Sequence, residues 1–469
     1  MQITLISDIN HNLIPVNNKI RIQGWIKNRR KSKLGITFLD LMDGSSIRSL
    51  QIVASDSLNN YPNEILLITT GCSIDVYGTL IFSKRKEQKY EIVAQKIQIL
   101  GWVDNPHTYP ISSKKHTLEY LREVNHLRPR TNLILAVSVV RNILFQSIHS
   151  FLFKEKFYWI PTPIITSIDA EGTGEMFSVN VKTEKLNNRN GSKEQFIYEK
   201  FFNKESFLTV SGQLTLESYA SALSRVYTFG PIFRAENSNT SRHLSEFWML
   251  EIEAAFFDLN KILLFSEKLI KYVFESVINI ANLELQWLSD NLNINLLKRI
   301  KSAINNKFIV LEYSEAIKIL NKNFVHVKEN KISFGDDLNS EQERYLVEKH
   351  FRNNNIIAII NYPKKIKAFY MRINKDAKTV AAMDIIFPYI GEIIGGSQRE
   401  ERLDYLDKRM IELKLNKKEY WWYRDLRKYG TVPHSGLGIG FERLLMYITG
   451  MNNIRDVIPF PRTVNNANF

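Results

Sequence analysis

Five short runs with the period-two alternation of strands stand within the first ~105 residues: Ile20 to Ile26, Ile36 to Met42, Leu50 to Val53, Ile74 to Phe82 and Tyr90 to Leu100. That period sends successive side chains to opposite faces, so each run has one face to bury. Gly24, Gly35, Gly44, Gly71 and Gly78 punctuate the runs as turn or bulge residues. Strands this short and closely spaced predict a small five-stranded barrel.

Between the first two runs lies Lys27-Asn28-Arg29-Arg30-Lys31-Ser32-Lys33, with five positive charges in seven residues. The whole chain carries 63 Lys and Arg against 49 Asp and Glu, a net +14, with a sequence pI near 9.4. Such a balance favours a polyanionic partner, although lysine and asparagine can also merely solvate a surface. A basic cluster beside a small barrel makes the oligonucleotide-binding (OB) type the leading expectation. Composition closes other classes. A single cysteine, Cys72, rules out an internal disulfide or zinc-cluster framework. Met1 to Asn10 has no basic segment followed by an apolar core, and the apolar stretch from Leu133 is broken by Arg141. Neither a signal peptide nor a membrane span is expected, and a cytoplasmic location fits.

Three regions follow: a barrel over 1–105, a hinge over 106–130 containing Pro106, Pro110 and Arg128-Pro129-Arg130, and a larger domain over 131–469. In that domain Thr131 or Asn132 caps a helix with apolar positions at Leu133, Val137, Val140, Leu144, Ile148 and Phe151. Lys182 to Lys200 reads as a polar loop with an irregular hairpin, and residues around 279–350 as a mostly helical insertion.

Chemistry concentrates in three blocks. Val226 to Glu236 reads as a strand, Asn237 to Ser245 as a polar loop, and Glu246 to Phe257 as the returning strand. On the return, Trp248, Leu250, Ile252, Ala254 and Phe256 share one face; Phe247, Glu251 and Glu253 share the other, beside Arg234 and Glu236. With Arg242 and His243 in the loop, this resembles a floor for a phosphate-bearing ligand. In the second block Asp384 and Glu392 are candidate Mg²⁺ ligands, although carboxylates eight residues apart are also common on surfaces. Ser397 and Glu400 match a capping box ahead of a helix striped by Leu403, Leu406, Met410 and Leu413, which places Arg399 in that helix's first turn. The third block, Gly436-Leu-Gly438-Ile-Gly440-Phe441-Glu442-Arg443, fits neither a P-loop nor a Rossmann fingerprint and presents an arginine at a helix start.

Together these blocks resemble the three motifs of class II aminoacyl-tRNA synthetases, of the aspartyl, asparaginyl and lysyl subgroup. Phe157-Tyr-Trp-Ile-Pro-Thr-Pro163-Ile-Ile looks like motif 1, with Pro163 as its dimer-interface proline. Phe233-Arg234-Ala-Glu236 with His243 and Phe247 looks like motif 2, and Gly436 to Arg443 like motif 3. The likeness is closest to the asparaginyl members, through Arg234-Ala-Glu-Asn-Ser-Asn-Thr-Ser-Arg-His243, Gly395-Gly-Ser-Gln-Arg-Glu-Glu-Arg402 and Asp456-Val-Ile-Pro-Phe-Pro-Arg462.

The resemblance implies an α+β fold, an OB-type anticodon-binding barrel followed by a six-stranded antiparallel catalytic sheet flanked by helices. It implies ATP as substrate, Mg²⁺ on Asp384 and Glu392, asparagine and its tRNA as partners, and a homodimer. Arg234 and Arg443 would be catalytic. ATP would also meet Glu236, Arg242, His243, Phe247, Glu392 and Gly440, with Phe247 stacked on adenine. Glu171, Ser211, Gln213 and Arg399 would hold the amino acid. Leu216 stands where aspartyl enzymes carry a lysine, and Glu217 beside it is expected to accept from the asparagine amide and repel aspartate. Arg29, Arg30, Phe38, Gln51 and Glu91 would meet the anticodon, Phe38 by stacking. Lys156 departs from the pattern where motif 1 commonly has glycine, and Val464 and Asn468 alter the usual tail. The alternatives are an aspartyl enzyme, or a paralogue that binds RNA without activating an amino acid.

Overall fold

The computed structural model describes residues 2–33, 35–83, 88–112, 114–170, 175–184, 196–323, 332–352 and 354–468. They form two compact units, Met1–Ser138 and Val139–Asn468.

In the first unit β1 (Lys19–Lys31), β2 (Ile36–Met42), β3 (Leu50–Ser55), β4 (Ser73–Phe82) and β5 (Tyr90–Gly101) close a barrel in the order β1-β2-β3-β5-β4. Neighbours are antiparallel except β3 and β5. Ile22, Leu39, Leu41, Ile52, Ile74 and Val76 are fully buried, as the alternation requires. The basic cluster is placed differently from the expectation. β1 continues through Lys31, and Arg30 and Lys31 pair with Phe38 and Thr37 of β2, so most of the cluster is strand rather than connection. Ladder hydrogen bonds satisfy that backbone, which outweighs the polar character of the side chains. A five-residue helix, Ile6–Asn10, was not legible; it adds Ile6 and Ile9 to the barrel core.

In the second unit an eight-stranded sheet is built from β6 (Tyr158–Trp159), β7 (Arg225–Phe233), β8 (Glu246–Ala255), β9 (Ile309–Glu312), β10 (Ile357–Ile360), β11 (Ala382–Phe387), β12 (Gly391–Gln398) and β13 (His434–Gly440). Their spatial order is β9-β10-β11-β12-β13-β8-β7-β6. The six inner strands are antiparallel, and β9 and β6 each add a parallel strand at an edge. β9 lies inside the segment read as a helical insertion. Four residues are too few for a period-two signal to show.

Helix α1 (Asn132–Lys154) starts at Thr131, whose Oγ1 accepts from the Ile134 N–H at 3.4 Å. By length and composition alone α1 is apolar enough to cross a bilayer. Instead it buries Val140, Leu144, Ile148 and Phe151 within the protein. Its Phe145 lies 4.7 Å from Phe229 of β7, which lies 5.1 Å from Phe441 at the start of helix α2 (Phe441–Thr449). This aromatic layer backs the sheet behind its polar face.

Lys156 follows α1 with φ +65°, the left-handed conformation in which glycine is usual. The turn therefore forms with lysine in the glycine's place. Val181–Glu184 and Phe196–Glu199 pair as a two-stranded hairpin within the polar loop.

Candidate active site

The open face of the sheet floors a cavity of about 360 Å³. From β8 it receives Phe247, Met249, Glu251 and Glu253, the odd-numbered face; Leu250, Ile252 and Ala254 point to the core. Among the cleft's polar residues are Arg234, Glu236, Arg242, His243, Glu392, Arg399 and Arg443. Ser211, Gln213, Asp384 and Gly440 also line it.

One end suits a nucleotide. Arg234 leaves β7 with its N–H bonded to the Ser245 carbonyl, and its guanidinium carbon lies 5.5 Å from the Phe247 ring centroid. Arg443, in the first turn of α2, donates to the Glu392 carbonyl at 3.0 Å. Its neighbour Glu442 is anchored from behind, by Arg141 of α1 at 2.8 Å and by the Trp248 N–H at 2.9 Å. His243 sits in the loop with Nδ1 2.6 Å from Thr240 Oγ1, and burial holds its pKa below the usual histidine value. Cationic groups beside an aromatic face can take up phosphates and a flat base together.

Asp384 of β11 and Glu392 of β12 meet beside this end. A bulge between Ile385 and Ile386 shifts the register and lets Glu392 join Asp384 on the cleft face. Burial first, then the neighbouring Asp384, pushes the Glu392 carboxyl up; Lys367, Arg443 and Arg234 oppose the rise. Glu343, whose carboxylate faces the Glu392 N–H at 3.4 Å, is pushed up to about 8 by burial and by Glu392 and Asp384. Hard carboxylate oxygens that repel one another fit a hard divalent cation completed by phosphate oxygens and water. Among the described residues no three His, Cys, Asp or Glu stand ready as a full ligand set.

The other end is more deeply buried. Arg399 is buried, its Nε 3.2 Å from Glu253 Oε2 and its Nη1 2.7 Å from Ser397 Oγ, with Nη2 also paired to Glu253. Burial pushes Glu253 up to about 7 against the pull of Arg399, and the charge of Glu217 adds to the rise. A Cβ on Gly436 would strike both the Glu253 carboxylate and the Arg399 guanidinium, so only glycine leaves the pair its space. Of the five N–H donors of a guanidinium, two remain for a ligand's oxygen. Glu251 accepts from the Gly212 N–H at 2.9 Å and from the Ser211 hydroxyl.

Some expectations fail here. Ser397 caps no helix: it is a buried strand residue opposite Ala382 and Gly436, and the next helix starts at Leu403. Arg399 therefore reaches the cleft from the end of β12, because sheet pairing captures the backbone that a capping box would have used. Glu400 instead accepts from the Ile373 N–H and the Arg402 side chain.

Glu217 does not line the cleft. It is fully buried and accepts from Gln213 Nε2 at 3.1 Å, Tyr423 OH at 2.9 Å, Arg427 Nη2 at 2.7 Å and His434 Nε2 at 3.0 Å. Burial opposes its charge, yet Arg427, His434 and Arg399 outweigh it and hold the carboxyl below the ordinary range. With its oxygens occupied it orients Gln213, whose NH₂ must face the carboxylate and whose carbonyl is left for a ligand. Tyr423, Arg427, His434, Lys367 and Tyr370 were not singled out from sequence. Glu171 lies outside the described residues.

On the barrel, register places Arg30, Phe38, Asp40, Gln51 and Glu91 on one face, opposite Leu39 and Leu41, with Gln51 and Glu91 themselves buried there. Gln51 donates to Glu91 at 2.8 Å and Arg30 lies 3.7 Å from Asp40, while Phe38 pairs with Arg30 across β1 and β2. Arg29, one residue along, points elsewhere and donates to the Leu66 carbonyl. Lys27 is tied to Asn132 at 2.8 Å. Alternation along β1 separates residues that looked like one patch.

A nucleic-acid barrel ahead of an antiparallel sheet, whose cleft joins arginines, an aromatic face and acidic residues, defines a class II tRNA synthetase. The description "tRNA synthetases class II (D, K and N)" matches residues 117–464, and "OB-fold nucleic acid binding domain" matches 20–100. The Asparagine–tRNA ligase of Buchnera aphidicola subsp. Schizaphis graminum is 56% identical over 469 residues, 99% of each chain. That of Escherichia coli (strain HS) is 52% identical over 470 residues, covering 100% of each. The asparaginyl-tRNA synthetase of Pyrococcus horikoshii, solved with asparaginyl-adenylate, superposes with a TM-score of 0.85 at 31% identity over 99% of each chain. The chain belongs to the asparagine–tRNA ligase family.

Proposed function

We infer that this protein activates asparagine with ATP to asparaginyl-adenylate, releasing pyrophosphate, and transfers the asparaginyl group to the 3′-terminal adenosine of its tRNA. The observation that carries this is one cleft joining Arg234, Phe247 and Arg443 at one end to Gln213 and Arg399 at the other.

The asparagine carboxylate attacks the α-phosphorus, and the bond to the pyrophosphate oxygen breaks. Asparagine arrives as a carboxylate, so no side chain has to remove a proton. Catalysis rests on positioning and charge neutralisation. Arg234 neutralises the α-phosphate and the attacking carboxylate, Arg443 the departing phosphates, and Phe247 holds the adenine. Mg²⁺ on Asp384 and Glu392 would supply further neutralisation of the triphosphate. Arg399 donates to the side-chain carbonyl of asparagine, and the Gln213 carbonyl accepts from its ammonium. Leu216, at the position of the aspartyl lysine, is buried and apolar, which favours asparagine over aspartate.

Exposed Phe153, Tyr158, Trp159, Ile164 and Ile165 around edge strand β6 support a homodimer through motif 1. The cytoplasm is the expected location. The deciding experiment is ATP–pyrophosphate exchange with each amino acid in turn, followed by charging of purified tRNA. Asparagine alone should support both, and comparable exchange with aspartate would overturn the reading.

The Arg30–Phe38–Gln51–Glu91 face of the barrel is the proposed anticodon contact, with Phe38 stacking on a base. Stacking of this kind contributes about 1–3 kcal/mol per base. Phe38→Ala should therefore raise the KM for tRNA while pyrophosphate exchange stays at the wild-type rate. Equal loss of both would remove the assignment.

A further inference from the structure

Lys367 has no part in the chemistry above, yet it lines the cleft. Its Nζ lies 2.5 Å from Asp384 Oδ2 and 4.0 Å from the ring centroid of buried Tyr362. Its backbone is held as well: the buried Arg409 donates to the carbonyls of Lys364 at 2.8 Å and Lys367 at 3.3 Å. The ammonium is thus built in between an aromatic wall and one oxygen of Asp384. The other oxygen, Oδ1, lies across the gap left by Gly395, 3.8 Å from where a Cβ there would stand; Glu392 Oε1 lies 3.0 Å from the same point.

We propose that Lys367 is the resident counter-cation of the Asp384–Glu392 pair, a positioning residue that turns Asp384 Oδ1 toward Glu392 and keeps the pair from taking up a divalent cation before nucleotide arrives. This rests on the reading of Asp384 and Glu392 as the cation's carboxylates. An ammonium and a divalent ion on one carboxylate repel each other strongly in a buried site, so the free protein binds the ion weakly. ATP brings phosphate charge that offsets the repulsion, and cation and nucleotide then bind together.

The test is Mn²⁺ binding to the nucleotide-free, full-length protein, followed by electron paramagnetic resonance of the free ion. Lys367→Gln should bind Mn²⁺ at least about tenfold more tightly than wild type, and Lys367→Arg, which keeps the charge, should bind like wild type. Lys367→Met, which retains the stem against Tyr362, is a second neutral variant should the first not fold. Equal or weaker binding in the neutral variants would overturn the proposal. Asp384→Asn should abolish the tight binding of Lys367→Gln. If Asp384→Asn leaves the tight Mn²⁺ binding of Lys367→Gln intact, the carboxylates themselves have been misassigned, a different failure from that of Lys367.

Discussion

Arg234→Ala should lower asparagine-dependent ATP–pyrophosphate exchange by at least about 10³-fold, since a guanidinium aimed at charge developing on a transferring phosphoryl group is worth that much or more. Arg234 and Glu236 stand 3.9 Å apart and both side chains are partly exposed, and such pairs add little to stability. The variant should therefore melt with the wild type. Arg234→Lys should recover only part of the rate, because an ammonium lacks the planar two-pronged donor geometry. A loss of less than tenfold in Arg234→Ala would take Arg234 out of the reacting centre. Arg443→Ala should show a comparable loss, since its side chain enters the same cleft from α2 and is set there by the Glu442 anchor.

Glu217→Gln should destabilise the protein by about 3–5 kcal/mol, the usual cost of leaving buried charges uncompensated. The amide has nearly the same shape, and its carbonyl can accept from Arg427 and His434, which share one carboxylate oxygen; its NH₂ then faces the Gln213 NH₂, and the buried Arg427 loses its counter-charge. For a unit of this size the loss corresponds to a fall in melting temperature of roughly 10 °C. The effect carries a pH signature. Glu217 ionises below its ordinary pKa in the folded state, so its contribution is present at pH values above the ordinary carboxylate range. It is lost as pH falls through the depressed folded value. Wild type and variant should thus converge in stability on acidification, read by thermal melts from pH 7 downward. A melt unchanged at neutral pH would contradict the four-donor arrangement. The structure moves this residue from repelling aspartate directly to holding Gln213, and the principal consequence of replacing it from specificity to stability.

Much of the catalytic floor was readable from β7 and β8 alone. Alternation over Glu246 to Ala255 assigns Phe247, Glu251 and Glu253 to one face and Leu250, Ile252 and Ala254 to the other, and the structure keeps that assignment. It breaks at Phe256, which leaves the strand with φ +65° and is exposed. The barrel was legible for the same reason: each strand buries one face, so its sequence records its own environment every second residue.

What the sequence determined by itself were such local matters: where strands alternate, where basic residues cluster, and which residue types recur at the spacing of three class II motifs. The partners of particular side chains were decided by the tertiary structure. Ser397 and Glu400 satisfy a capping-box spacing, but β11 and β13 offer that backbone a full set of ladder bonds, and a strand forms. Glu217 draws its partners from Gln213, Tyr423, Arg427 and His434, four positions spread over more than two hundred residues. Lys367 finds Asp384 only because Asp384 lies on the cleft face of β11. Burial against one face of a strand is a property of a short segment. Satisfying a buried charge requires every donor around it to be counted, and that count exists only once distant segments have been packed together.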